Sequence, residues 1–152
     1  MKTVIVGVGS SVLSDDAVGL FVARELAGRF EARDDIVVKE NEEAGFTLLE
    51  DAIGYDRMIV IDSIITGAEP GTLFRFELED LEQTIHAGAP HGLNLATVVE
   101  FGRRQGLAVP RDIVIYAVEA ADTLTLGEEL TPGVASRVAE IAESVASEIE
   151  RS

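Results

Sequence analysis

Four short apolar runs decide the architecture of this chain: TVIVGV (Thr3 to Val8), DIVVKE (Asp35 to Glu40), RMIVID (Arg57 to Asp62) and DIVIYAVE (Asp112 to Glu119). Each is apolar along most of its length instead of at alternate positions. A strand with that pattern is covered on both faces, the condition of a parallel sheet with helices packed above and below it. A fifth run, GTLFRFEL (Gly71 to Leu78), alternates less cleanly and reads as an edge or antiparallel strand.

Helical periodicity fills the intervals. Val18, Val22, Leu26 and Phe30 recur every four residues, which predicts an amphipathic helix of about three to four turns from Asp16. AGFTLLEDAIG predicts a shorter helix stopped by Gly54, and GLNLATVVEFGRRQG one over Leu93 to Gln105 stopped by Gly106. The last helix opens at TPG, with Thr131 as N-cap and Pro132 in the first turn. Its buried stripe is Val134, Val138, Ile141, Val145 and Ile149. Strands alternating with helices predict an α/β fold, a three-layer sandwich around a mostly parallel, twisted five-stranded sheet with helices on both faces. At 152 residues the chain fits one domain, 1–152, without repeat or linker. ITGAEPG and HAGAPHG read as loops.

Composition removes several chemistries. Cysteine is absent, and with it disulfides, thiolate nucleophiles and sulfur-ligated metal sites. Acidic residues number 28 against 12 basic ones, a net charge of −16. Such a surface repels nucleic acid and anionic membrane, and neither is expected as a partner. Most of these acids read as solubility or adaptation to high salt. No apolar run approaches the roughly 18 residues of a membrane span. The N-terminus passes straight into strand sequence instead of forming a signal peptide, so the expected location is the cytoplasm.

Open α/β sheets bind ligands at the carboxyl ends of their strands. In this chain those ends carry acids: Asp15 and Asp16 after the first run, Glu40 to Glu43 at the second, Asp62 at the third and Glu119 at the last. GVGSSVLSDD (Gly7 to Asp16) begins like a phosphate cradle. It has Val12 where a dinucleotide fingerprint wants a third glycine, and it lacks the Lys-Ser/Thr of a P-loop. Two carboxylates where a pyrophosphate needs bare amides argue further against a nucleotide. A helix dipole accounts for one of Asp15 and Asp16, but not easily for both together with Asp62. Clustered carboxylates on neighbouring strand ends suit a cation. The chain has two histidines, His86 and His91, in one loop. His91, between Pro90 and Gly92 ahead of a helix, is placed to point over the sheet edge. Two carboxylates and one imidazole suit nickel, zinc, iron or manganese, and three ligands leave the coordination open. Glu119 reads as a strand-end cap, and Glu40 as a candidate for contacting substrate.

These residues resemble the motifs of the hydrogenase maturation proteases. GVGSSVLSDDAVG is similar to their Gly-x-Gly-Asn-x-x-x-x-Asp-(Asp/Glu)-x-x-Gly opening, and AGFTLLE to their Ala/Thr-Gly-x-x-Leu-Leu segment. MIVIDSI resembles their strand ending in Asp-Ala, and PHGLNLATVV their Ser-Pro-His helix start. VEAADTLTLGEELTPGV looks like their Glu-Pro stretch followed by Leu-Ser/Thr-Pro. The five matches fall in order over nearly the whole chain.

The resemblance implies an endopeptidase that removes a C-terminal extension from a hydrogenase large-subunit precursor once nickel has been loaded. The family's metal-contacting trio falls on Asp16, Asp62 and His91. It implies nickel carried by the substrate's own cysteines, with another divalent metal able to occupy the site in the isolated protein. Catalysis runs through the metal or beside it: the metal polarises the scissile carbonyl or activates water, or Asp16 or Asp62 is the general base. Ser10 and Glu40 are the candidates for binding substrate. Ser10 stands where the family has Asn, and Glu40-Asn41-Glu42-Glu43 replaces its glycine-containing turn. Ala120 replaces the proline of Glu-Pro. Two other readings fit the residues: a receiver-type signalling module, and a non-catalytic metal- or small-molecule-binding α/β domain. A receiver has its acid pair directly after the strand, whereas here Gly7 to Ser14 intervene; it also needs a Lys where this chain has Glu119.

Overall fold

The computed structural model describes residues 1–83 and 92–151. Its sheet has five strands: β1 (Thr3–Val8), β2 (Ile36–Asn41), β3 (Arg57–Ile64), β4 (Leu73–Glu77) and β5 (Asp112–Glu119). They lie in the order β2-β1-β3-β5-β4. The first three and β5 run parallel, and β4 pairs antiparallel with β5 at the edge. The continuous apolar runs are thus the parallel strands, and the less regular run is the antiparallel edge, as the pattern predicts. The register between β1 and β3 sets Gly7 opposite Ile61, so their carboxyl ends finish side by side.

Helices cover both faces. They are α1 (Val18–Arg29), α2 (Thr47–Ala52), α3 (Leu78–Gln83), α4 (Gly92–Arg104), α5 (Pro132–Ala135) and α6 (Val138–Arg151). On one face Val18, Val22 and Leu26 of α1 and Ile141, Val145 and Ile149 of α6 meet Ile5, Ile59 and Ile61 of the sheet. On the other, Leu48 and Ala52 of α2 and Leu95 and Val99 of α4 meet Val4, Val6, Met58 and Val60. Even- and odd-numbered strand residues therefore face opposite layers, as a pleated strand requires. Burying each large aliphatic side chain contributes about 1.5–3 kcal/mol.

Four details differ from expectation. β2 is an outer strand with its middle half-exposed, not a fully covered one; valines at a sheet edge give the same apolar run as valines inside it. GTLFRFEL ends its strand at Glu77, and Leu78 opens α3. The first helix is entered through a 3-10 turn, Ser14–Ala17. Thr131 precedes only the one-turn α5 and makes no side-chain cap, because its hydroxyl is drawn to Asp15. Gly54 and Gly106, the foreseen stops, take φ of 93° and 73° just past α2 and α4.

From β1 the chain crosses to β2 on one side, then returns to β3 on the other. That reversal opens a crevice between the carboxyl ends of β1 and β3, where such sheets place their ligands. Among the described residues no helix is long and apolar enough to cross a membrane.

Candidate functional site

The glycines of the first loop serve packing. A Cβ on Gly7 would lie 2.3 Å from the carbonyl oxygen of Gly19, and one on Gly19 would lie 2.2 Å from that of Ile61. Helix α1 therefore rests directly on the backbone of β1 and β3. A Cβ on Gly9 would lie 2.0 Å from the carbonyl oxygen of Asp16, which closes the loop back onto its own start. These contacts seat residues 10–16 over the crevice, and no phosphate is needed to explain them.

The two neighbouring aspartates have separate partners. Asp15 is fully buried. Its carboxylate accepts from the amides of Ala121 (2.9 Å), Asp122 (3.0 Å) and Thr131 (2.7 Å), and from the Thr131 hydroxyl (2.8 Å). It pins the loop between β5 and α5 to the loop after β1. Asp16 accepts from the Ser10 amide (2.9 Å) on one oxygen and the Ser63 hydroxyl (3.0 Å) on the other. Asp16 is only 6% exposed, yet among the described residues both donors to its carboxylate are neutral. The Ser63 bond brings Asp16 to the end of β3, one residue from Asp62. Asp62 is fully buried, and its carboxylate accepts the Ser63 amide at 2.7 Å. Strand alternation turns Asp62 toward the α2–α4 layer and Ser63 toward the α1–α6 layer. The end of β3 thus offers one acid directly and holds a second from the next strand's loop.

Glu119 is buried and caps the loop after β3, as expected of it. It accepts the amides of Thr66 (2.9 Å) and Gly67 (3.3 Å) and the Thr66 hydroxyl. Glu40 lies on the outer strand, where Arg24 of α1 donates to it at 2.8 Å in a half-exposed pair. Next to it Asn41 organises the following turn, its side-chain oxygen accepting the amides of Glu43 (2.9 Å) and Ala44 (2.8 Å). Its side-chain nitrogen donates to Asp51 at 2.7 Å. Glu42 reaches across to accept the amide of Ser11 at 2.8 Å, and that bond holds its carboxyl below the usual range. The turn carrying four polar residues is thereby tied to the loop that carries Asp16.

The HycI hydrogenase maturation protease family model matches residues 20–148. The chain belongs to the hydrogenase maturation protease family. It is 27% identical to the hydrogenase 2 maturation protease of Escherichia coli K12, over 100% of this chain and 93% of that one. The fold superposes on the hydrogenase maturating endopeptidase HybD from E. coli with a TM-score of 0.83, at 26% identity, covering 99% of this chain and 93% of that chain. It also matches the [NiFe] hydrogenase maturation protease HycI of Thermococcus kodakarensis KOD1, with a TM-score of 0.72 at 26% identity, covering 96% and 90%. Like these relatives, the chain is an endopeptidase. The antiparallel outer strand and the family assignment set the receiver reading aside.

Of the expected trio, Asp16 and Asp62 fall among the described residues, in the loop after β1 and near the carboxyl end of β3. His91 and His86, with most of the HAGAPHG loop, lie outside the described residues. Among the described residues no three acidic or histidine side chains gather as a metal site. Sequence pattern alone does not single out Ser63 or Asn41 as organisers of the site. The signal for Ser63 is its place directly after Asp62, near the carboxyl end of β3.

Proposed function

We propose that this protease removes the C-terminal extension of a nickel-loaded hydrogenase large-subunit precursor, and that Asp16, Asp62 and His91 read the nickel. The observation that supports this reading is Asp16: a nearly buried carboxylate at the sheet crevice with only neutral donors among the described residues. Burying such a charge is costly without a partner of opposite sign. A cation arriving with the substrate supplies that partner. The metal is then part of the substrate, bound by the precursor's own cysteines, which this chain lacks. Precursor without nickel leaves Asp16 without that cation and does not dock productively.

The chemistry asked of the protein is hydrolysis of one peptide bond. Asp16 and Asp62 position the nickel-bearing segment, and a carboxylate at the same edge takes the proton from the attacking water. Ser10, whose amide holds Asp16, and Glu40, at the outer strand end, flank the path of the extended tail.

The test uses nickel-loaded and nickel-free precursor incubated separately with the protein, with loss of the C-terminal peptide followed by mass spectrometry. Cleavage of the loaded precursor alone is expected. Equal cleavage of both refutes nickel sensing, and loaded-precursor cleavage that survives His91→Ala unchanged removes His91 from the trio.

A further inference from the structure

The loop that Asp15 pins carries two leucines almost wholly in solvent: Leu124 is 88% exposed and Leu126 79%. Val12, 47% exposed, stands on the facing loop. Large aliphatic side chains left this open commonly belong to a mobile segment. This segment is instead bonded along its length. The Asp122 carboxylate accepts the amides of Leu124 and Thr125, both at 3.0 Å. Gly127 donates to the Val12 carbonyl at 2.8 Å and accepts the Ser14 amide at 3.0 Å, forming a short parallel bridge between the loops. The Asp15 amide donates to the Asp122 carbonyl at 2.9 Å. The leucines are held out by the scaffold, and an apolar anchor already fixed in position loses little entropy when it binds.

We infer that Val12, Leu124 and Leu126 form a preorganised apolar knob that docks the hydrogenase large-subunit precursor beside the cleavage site. The inference rests on the proposed function. Continuity is its first support: Asp16 directly follows the residue that holds this loop, so a partner presenting its metal to Asp16 meets the knob. Charge is its second. Asp122, Glu128 and Glu129 flank the leucines, and the whole chain carries −16. A second copy would bring like charge against like charge, whereas a partner with an apolar hollow rimmed by Lys or Arg is attracted. Charge thus disfavours a second copy, and the occupant assigned to the knob is the precursor.

Nickel-loaded precursor is titrated against the wild type, Leu124→Ser/Leu126→Ser, Glu128→Lys/Glu129→Lys and Ile53→Ser. Ile53 is also exposed but lies past α2, at the opposite end of the sheet. The expected result is a KM raised about tenfold or more in the leucine variant, with kcat held within about twofold. The charge-reversed variant is expected to raise KM in the same way, and Ile53→Ser to match the wild type. An unchanged KM in both double variants overturns the knob while the proposed function stands. A wild-type dimer in sedimentation that the leucine variant dissolves also overturns it, assigning the leucines to self-association. Failure of the wild type to cleave loaded precursor overturns the parent reading first, so the two failures are distinguishable.

Discussion

The two ends of the sheet use acidic residues in opposite ways. At the amino ends the acids are exposed: Asp35, before β2, takes a bidentate pair from Arg33 at 2.8 Å, and Asp56, before β3, accepts the Lys2 amide. At the carboxyl ends Asp15, Asp16, Asp62 and Glu119 are all buried. Their donors are mostly main-chain amides, and more of these come from loops over 50 residues away in sequence than from near ones. The same side chain is decoration at one end and an organising element at the other. Burial decides which, because a solvated carboxylate gains little from a partner while a buried one must be matched. At the carboxyl end a second division follows. Asp15 and Glu119 are filled by amides and hold loops together, whereas Asp16 and Asp62 stand at the crevice.

That division is tested most strongly at the crevice. On the proposed reading, Asp16→Asn or Asp62→Asn lowers kcat/KM for loaded precursor by about 10²–10⁴-fold. Asparagine at 16 can still accept from Ser10 and meet Ser63, so the melting midpoint should move by less than about 4 °C. A variant that keeps full cleavage would merge Asp16 with the scaffold acids and break the distinction.

Asp15→Ala should show the reverse profile. It leaves three amides and a hydroxyl without their acceptor in the interior, at a cost of about 3 kcal/mol or more. A chain of this length should then melt about 6–12 °C lower. The loop of residues 121–130 should lose amide-exchange protection before the sheet does. Full stability in this variant would remove Asp15 as the pin. Glu119→Gln is the milder case, since the amide keeps one oxygen for Thr66 and Gly67. A loss of about 1–2 kcal/mol in urea unfolding is expected, with cleavage nearly intact.

Much of the layout is legible in the sequence because strand burial leaves an unbroken apolar run, and the end of each run shows which residues reach the ligand edge. Asp62 is visible as the stop of MIVI, and the antiparallel edge as the run that breaks the pattern. What pattern cannot show is partnership across the chain. Asp15 and Asp16 are adjacent and chemically alike, so nothing local reveals that one belongs to Thr131 and the other to Ser63. Thr131 misleads for the same reason: its position before Pro132 is that of an N-cap, but a buried carboxylate competes for its hydroxyl and wins. β2 reads as interior because the run of valines does not say whether a further strand lies outside it. His91 lies beyond the described residues, so its part in the trio rests on the resemblance and on the proposed test.

The smallest effect belongs to the amino end. Arg33 holds the Asp35 carboxyl down to about 2, chiefly through the paired hydrogen bonds. A carboxyl depressed in the folded state stabilises above its unfolded value, and that contribution is lost as pH falls through about 2. The pair is exposed and screened by salt, so little stability is at stake. Arg33→Ala should return Asp35 toward the ordinary value of about 3.9 in an NMR titration. The melting midpoint at neutral pH should stay within about 2 °C, in low salt and in high. Should Arg33→Ala instead destabilise the chain as much as Asp15→Ala, exposure would not be what separates the two ends. The carboxyl-end acids would then need some other reason for their hold on the loops.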